Sequence, residues 1–142
     1  HDVGTLAAIA QLQSPQPGLV TLNAHGTLRF RVRQSHQLPH GLWVADVEQL
    51  DADTPAPVPA DLRRFATALA HVLQTLHDRQ PETERTPPAT PAQLDDCGWV
   101  ANRWCELLPV PLPLKQQLMA LDNPLVRLEL VGDVLDRTGI AP

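Results

Sequence analysis

The chain has 142 residues, of which 43% are hydrophobic and 19% are charged, and its formal net charge is -5. This composition is typical of one folded domain or two small lobes and argues against a disordered chain. The acidic balance argues against a nucleic-acid-binding face. No segment reaches the roughly 18 apolar residues of a membrane-spanning helix, so we expect no membrane partner.

Residues 5–50 carry the patterns of β-strands. Apolar segments at 5–12 and 19–23 flank a proline-containing turn, and residues 42–50 predict a last strand. Gly26 predicts a bulge or a corner. Between these segments apolar side chains alternate with arginines, the period of a half-buried strand, at Leu28, Arg29, Phe30, Arg31, Val32 and Arg33.

Residues 59–139 carry the 3.6-residue period of helices. The first predicted helix begins near residue 59, and a capping box at residues 90–93 opens the second. The third spans residues 113–121, and the fourth runs from Asn123 to Gly139. Apolar faces of the first, second and fourth helices comprise Leu62, Phe65, Leu69, Val72, Leu76, Leu94, Cys97, Ala101, Trp104, Cys105, Leu108, Leu128, Val131, Val134 and Leu135.

Strands followed by helices predict an α+β fold. We expect a β-lobe over residues 1–54 and a four-helix lobe over residues 55–142. A segment rich in proline, threonine and glutamate, residues 80–89, predicts an exposed loop. Residues 51–142 carry eight Lys or Arg against thirteen Asp or Glu, so the helical lobe holds the net negative charge.

The sequence lacks the usual patterns of a catalytic or metal-binding site. Neither serine lies in a nucleophile motif, no Gly-Lys pair forms a phosphate loop, and the six histidines lack ligand spacing. Cys97 and Cys105 lie about 12 Å apart along a predicted helix, so they are expected to be two core thiols and not a disulfide. Asp95 and Asp96 are expected to stabilise a helix start. We therefore predict no enzyme activity, metal or cofactor.

The aromatic side chains are the candidate contact residues. Trp104 lies on an apolar helix face and is predicted to be core, whereas Trp99 lies off that face and is the better surface candidate. Trp43 fits either role. We select Trp43, Trp99 and Phe30 as candidate binding residues.

The order of the strands and the segments that follow resembles a known family. The segments 3–9, 26–32 and 41–47, followed by the leucine-proline segment 107–118, are similar to the Lon protease N-terminal (substrate-binding) domain. The resemblance covers about residues 3–137. The family's opening strands would precede residue 3, and no ATPase or protease segment follows Pro142, so we expect a stand-alone member with its first strands missing.

The resemblance implies a partial PUA-like β-lobe followed by a helical lobe. It also implies a non-catalytic module of a bacterial, cytoplasmic protein that binds unfolded or tagged polypeptides and can form homo-oligomers. The alternative is a PUA-like domain that binds RNA or a nucleotide through Arg29, Arg31 and Arg33. The net charge makes nucleic acid the weaker alternative. A solvated outer face, or pairing with the acidic helical lobe, is the better explanation of the arginines.

Overall fold

A computed structural model describes residues 2–81 and 87–140. The chain divides between Ala52 and Asp53 into two compact units, named here the sheet unit and the helical unit. Strands precede helices, which confirms the predicted α+β fold. The predicted loop at residues 80–89 lies partly outside the described residues.

The sheet unit is a three-stranded antiparallel sheet in the order β1-β2-β3. Its strands are β1 (Val3–Gln16), β2 (Leu19–Gln37) and β3 (Trp43–Gln49). The two strand segments predicted between residues 19 and 33 form the single strand β2. The ladder continues through residues 24–28 by means of a register shift. Gly26 lies at this shift, where a Cβ would come within 2.9 Å of Thr5 Cγ2, so the predicted bulge is confirmed.

One face of the β2–β3 ladder carries most of its large apolar side chains. Phe30 is paired with Gln49, and Val32 with Val47, and these side chains lie on the same face as Trp43 because side chains alternate along a strand. Arg33 is an extra residue between two paired positions. The predicted alternation of apolar residues with arginines therefore holds only up to Val32.

The sheet unit leaves many large apolar side chains exposed. Ile9 and Leu12 of β1 are 64% and 66% exposed, and Trp43 is 65% exposed. β1 lies at one edge of the described sheet, and its fourteen residues include no charged side chain. By contrast, Val3 is buried.

The helical unit contains α1 (Arg63–Arg79), the single turn α2 (Pro91–Leu94), α3 (Cys97–Leu107), α4 (Leu112–Ala120) and α5 (Pro124–Thr138). Gly139, with φ of 66°, follows α5 as predicted. No described helix is both long and apolar enough to span a membrane. The buried core of the helical unit comprises Val58, Phe65, Ala66, Leu69, Cys97, Val100, Ala101, Trp104, Leu108, Leu118, Leu128, Val131 and Leu135.

The predicted second helix is wrong in one respect, because it forms two helices and not one. The backbone between α2 and α3 hydrogen-bonds to an extended segment: Val58 N–H donates to Asp95 O at 3.0 Å, and Cys97 N–H donates to Ala56 O at 2.8 Å. The Asp96 carboxylate then accepts a hydrogen bond from the backbone of α3. These contacts interrupt the helix, so the described part of the helical unit has five helices and not the predicted four.

A buried guanidinium connects distant parts of the helical unit. Arg127 of α5 is fully buried, and its Nε donates to Leu118 O at 3.1 Å. Its terminal nitrogens donate to both carboxylate oxygens of Asp53, to Asn102 Oδ1 and to Leu121 O. The side chain therefore joins the first residue of the unit to α3, α5 and the end of α4. The helical periodicity of the sequence did not predict a buried charged residue in this core.

Candidate functional site

The helical unit contains a groove with a volume of about 420 Å³. Its walls are the C-terminal half of α1, the segment that leads into α2, and the first half of α3. Its size is at the lower end of the usual range for ligand-binding clefts. The groove is lined by Ala70, Leu73, Gln74, Leu76, His77, Gln80, Pro87, Pro88, Ala89, Gln93, Leu94, Trp99 and Arg103.

The α1 wall arises because this helix extends beyond the core. Phe65 and Leu69, in its first half, are fully buried, whereas Leu76 is 40% exposed and borders the groove. The apolar stripe of α1 continues past the core, so the last turns of the helix present apolar side chains to the groove. His77 is half-buried there.

Trp99 forms the opposite wall. Its position on α3 is set by the helix start, because Trp99 N–H donates to Asp96 Oδ1 at 2.7 Å. The indole is half-buried and packs against the core while also lining the groove. This agrees with its predicted location off the core-facing stripe of the helix. Trp104 is buried as predicted, and its Nε1–H donates to Phe65 O at 3.0 Å.

Arg103 follows Trp99 one turn later along α3. The guanidinium carbon lies 5.9 Å from the centre of the Trp99 ring, within the range of a cation–π contact. One of its terminal nitrogens is ion-paired with Glu106. The Nε of Arg103 is buried and has no hydrogen-bond partner among the described residues. Burial raises the pKa of Glu106, and the nearby Arg103 charge opposes that increase.

The three candidate residues belong to two different units. Trp99 lies in the groove of the helical unit, whereas Trp43 and Phe30 belong to the sheet unit. Within that unit the two side chains share a face but occupy opposite ends of the β2–β3 ladder. Six residues of strand separate those ends, which is about 20 Å. The Phe30 ring covers Gly4, where a Cβ would come within 2.4 Å of the ring.

Two of the three candidate phosphate-binding arginines lie beside Glu48 of the neighbouring strand. Arg33 forms an ion pair with Glu48, and Arg31 occupies the position directly opposite Glu48 in the ladder. Cross-strand pairs of opposite charge are a common means of stabilising a sheet face. These contacts support an ion-paired sheet face, although the partner shown is Glu48 of β3 and not the acidic helical lobe that the sequence suggested.

The two cysteines are core thiols, as predicted. Cys97 is fully buried, and Cys105 is half-buried on the same helix. The Cys97 thiol donates to Pro57 O at 3.4 Å. Burial raises the pKa of both thiols, and Asp96 raises that of Cys97 further. In the described part of the chain, no group of three or more His, Cys, Asp or Glu residues could hold a metal ion.

We expect native Cys97 to resist thiol reagents at pH 8. Its thiolate is disfavoured and enclosed, so modification requires the helical unit to open, and the reaction should be at least about 100-fold slower than in 8 M urea. In a colorimetric thiol assay, the Cys105→Ala variant reports the reaction rate of Cys97 alone. The Cys97→Ala variant reports the rate of Cys105 alone. Equal rates for Cys97 in buffer and in urea would contradict this structure.

Comparisons with known proteins identify one family. The model of the ATP-dependent protease La (LON) substrate-binding domain matches residues 1–137. A crystal structure of a Lon N-terminal domain protein from Xanthomonas campestris is similar, with a TM-score of 0.74 and 27% sequence identity. The similarity covers 92% of this chain but 66% of the Xanthomonas chain, so this chain spans just under two thirds of that relative's length. No curated protein matches.

Proposed function

Because the chain belongs to the ATP-dependent protease La (LON) substrate-binding domain family, we propose that it binds segments of other polypeptides as a non-catalytic recognition module. The matched family is a substrate-binding domain, which supports a binding role. That the ligands are unfolded or tagged polypeptides is the finer part of the proposal. A cytoplasmic location and homo-oligomers belong to the same proposal.

The observation that supports this proposal most directly is the groove beside Trp99. A half-buried indole anchored by the core offers a rigid apolar surface with little conformational entropy to lose on binding. Leu73 and Leu76 extend that surface along the facing helix, and Pro87 and Pro88 border it. Such a cleft suits one or two apolar side chains of an extended segment. Trp43, which is exposed on the sheet unit, is proposed as a second, independent contact.

RNA binding through the sheet arginines has less support. The neighbouring strand supplies Glu48 to pair with Arg33, and the whole chain is acidic. A face that binds phosphates usually carries unpaired basic side chains and produces strongly salt-dependent affinity. We therefore keep this function as an alternative only.

The Trp99→Ala variant should bind unfolded polypeptides much more weakly than the original chain. Interface tryptophans that act as anchors contribute at least about 2 kcal/mol, which corresponds to roughly 30-fold in affinity. We would titrate fluorescein-labelled, reduced and carboxymethylated casein and follow its anisotropy, expecting a dissociation constant of tens of micromolar for the original chain, the range of weak modules.

Leu112→Ala is the control, since it removes an exposed apolar side chain of the helical unit that does not line the groove. Circular dichroism at 222 nm would show that both variants retain their helices. Failure of the original chain to bind casein would refute the proposed function. Unchanged binding by Trp99→Ala would refute the role of the groove.

A further inference from the structure

The charge of the described groove lining differs from the charge of the unit that contains it. Residues 53–142 carry eight Lys or Arg against twelve Asp or Glu. Among the described residues the groove lining includes no carboxylate, and Arg103 is its one formally charged side chain. A positive charge at the wall of the groove lowers the cost of bringing a negative charge there.

Arg103 has the geometry to receive such a charge. Its side chain is 40% exposed, and its guanidinium lies beside the Trp99 ring at the wall of the groove. A guanidinium has five N–H donors. In Arg103, Nη2 donates a hydrogen bond to Glu106. Donors therefore remain for a second carboxylate, and arginine binds carboxylates in a well-defined planar geometry.

Glu106 is a poor competitor for the whole guanidinium. It approaches Arg103 from the next turn of α3 and is itself half-exposed. An exposed pair of this kind contributes little, so it can be shared or opened at a small cost. The indole next to the guanidinium supplies the apolar half of the same recognition surface.

We propose that the groove selects polypeptide segments in which an apolar or aromatic side chain is followed closely by a carboxylate, the apolar group packing on Trp99 and the carboxylate pairing with Arg103. This inference rests on the proposed function, because it specifies which segments the recognition module prefers. It predicts that the groove binds acidic-apolar segments more tightly than basic ones.

The test uses three labelled eight-residue peptides that share a central Leu-Phe pair. The pair is flanked by two aspartates in the first peptide, by two asparagines in the second and by two lysines in the third. Hydrogen bonds to charged groups contribute about 1.5–3 kcal/mol, so the aspartate peptide should bind about tenfold or more tighter than the asparagine peptide. The lysine peptide should bind weakest, and 0.5 M salt should reduce the differences.

Arg103→Gln should remove the preference for aspartate over asparagine while leaving the affinity of the asparagine peptide within about twofold. Arg103→Lys should restore part of the preference, since it restores the charge. Arg137→Gln is the matched control, because it removes an exposed arginine of α5 that does not line the groove. It should preserve the preference.

The outcomes separate this inference from the proposed function. If the original chain binds carboxymethylated casein but does not distinguish the three peptides, the inference is wrong and polypeptide binding stands. If it binds neither casein nor any peptide, both fail. Loss of asparagine-peptide binding in Arg103→Gln would also overturn the inference, because it would assign Arg103 a structural role.

Discussion

The Arg127→Met variant should lower the free energy of unfolding of the helical unit by about 3–5 kcal/mol, the usual cost of removing one partner of a buried ion pair. Methionine fills much of the same volume but donates no hydrogen bond. Asp53, whose side chain is only 19% exposed, would lose its guanidinium partner. The carbonyl groups of Leu118 and Leu121 would lose a donor as well.

Urea denaturation followed at 222 nm measures this effect, since every described helix belongs to the helical unit. Arg64→Met is the matched control: its ion pair with Asp136 is about half-exposed, and its loss should cost no more than about 1 kcal/mol. Adding Asp53→Asn to Arg127→Met should cost less than the two single changes combined, because the partners are coupled. Equal costs for Arg127→Met and Arg64→Met would contradict the buried network.

The Trp104→Ala variant should destabilise the helical unit by a similar amount, about 3–5 kcal/mol. Trp104 is one of the largest buried side chains, and it belongs to the closely packed core of the helical unit. Gly132 of α5 shows how close that packing is, because a Cβ there would come within 2.5 Å of the Phe65 ring. A core of this kind relaxes only partly around a deleted indole.

Trp104→Phe tests the polar part of the same side chain. It keeps most of the volume but removes the hydrogen bond from Nε1 to Phe65 O, so we expect a smaller loss of about 1–2 kcal/mol. Trp99→Ala tests the effect of exposure. Because this indole is half-buried, its removal should lower the free energy of unfolding clearly less than Trp104→Ala does. A loss for Trp104→Ala below that for Trp99→Ala would show that the core has been described incorrectly.

Sequence periodicity predicted most of the helical unit because its apolar stripes are regular. Phe65 and Leu69 in α1, and Leu128 and Leu135 in α5, are buried as their spacing indicates. The break between α2 and α3 could not be predicted in this way. It depends on hydrogen bonds to the segment around Ala56, about forty residues earlier in the chain, and spacing along one helix contains no information about such a partner.

The candidate site was only partly predictable, for a related reason. Position off the apolar stripe correctly singled out Trp99 as a residue at the surface of the core. Its position opposite Leu76 and His77 could not be predicted, because the two walls of the groove belong to helices separated by a proline-rich segment. In the sheet unit the register shift at Arg33 likewise depends on pairing with β3 and is invisible to a period-two pattern.

The uncharged edge strand β1 has a consequence for solubility. Long edge strands are usually protected by lysines, prolines or bulges that discourage the addition of further strands. β1 has bulges and a proline near its end, but Leu6, Ile9 and Leu12 are exposed along it without a single charge. Expressed alone, residues 2–52 should therefore aggregate through intermolecular strand pairing, and a lysine in place of Ile9 should delay the onset of turbidity.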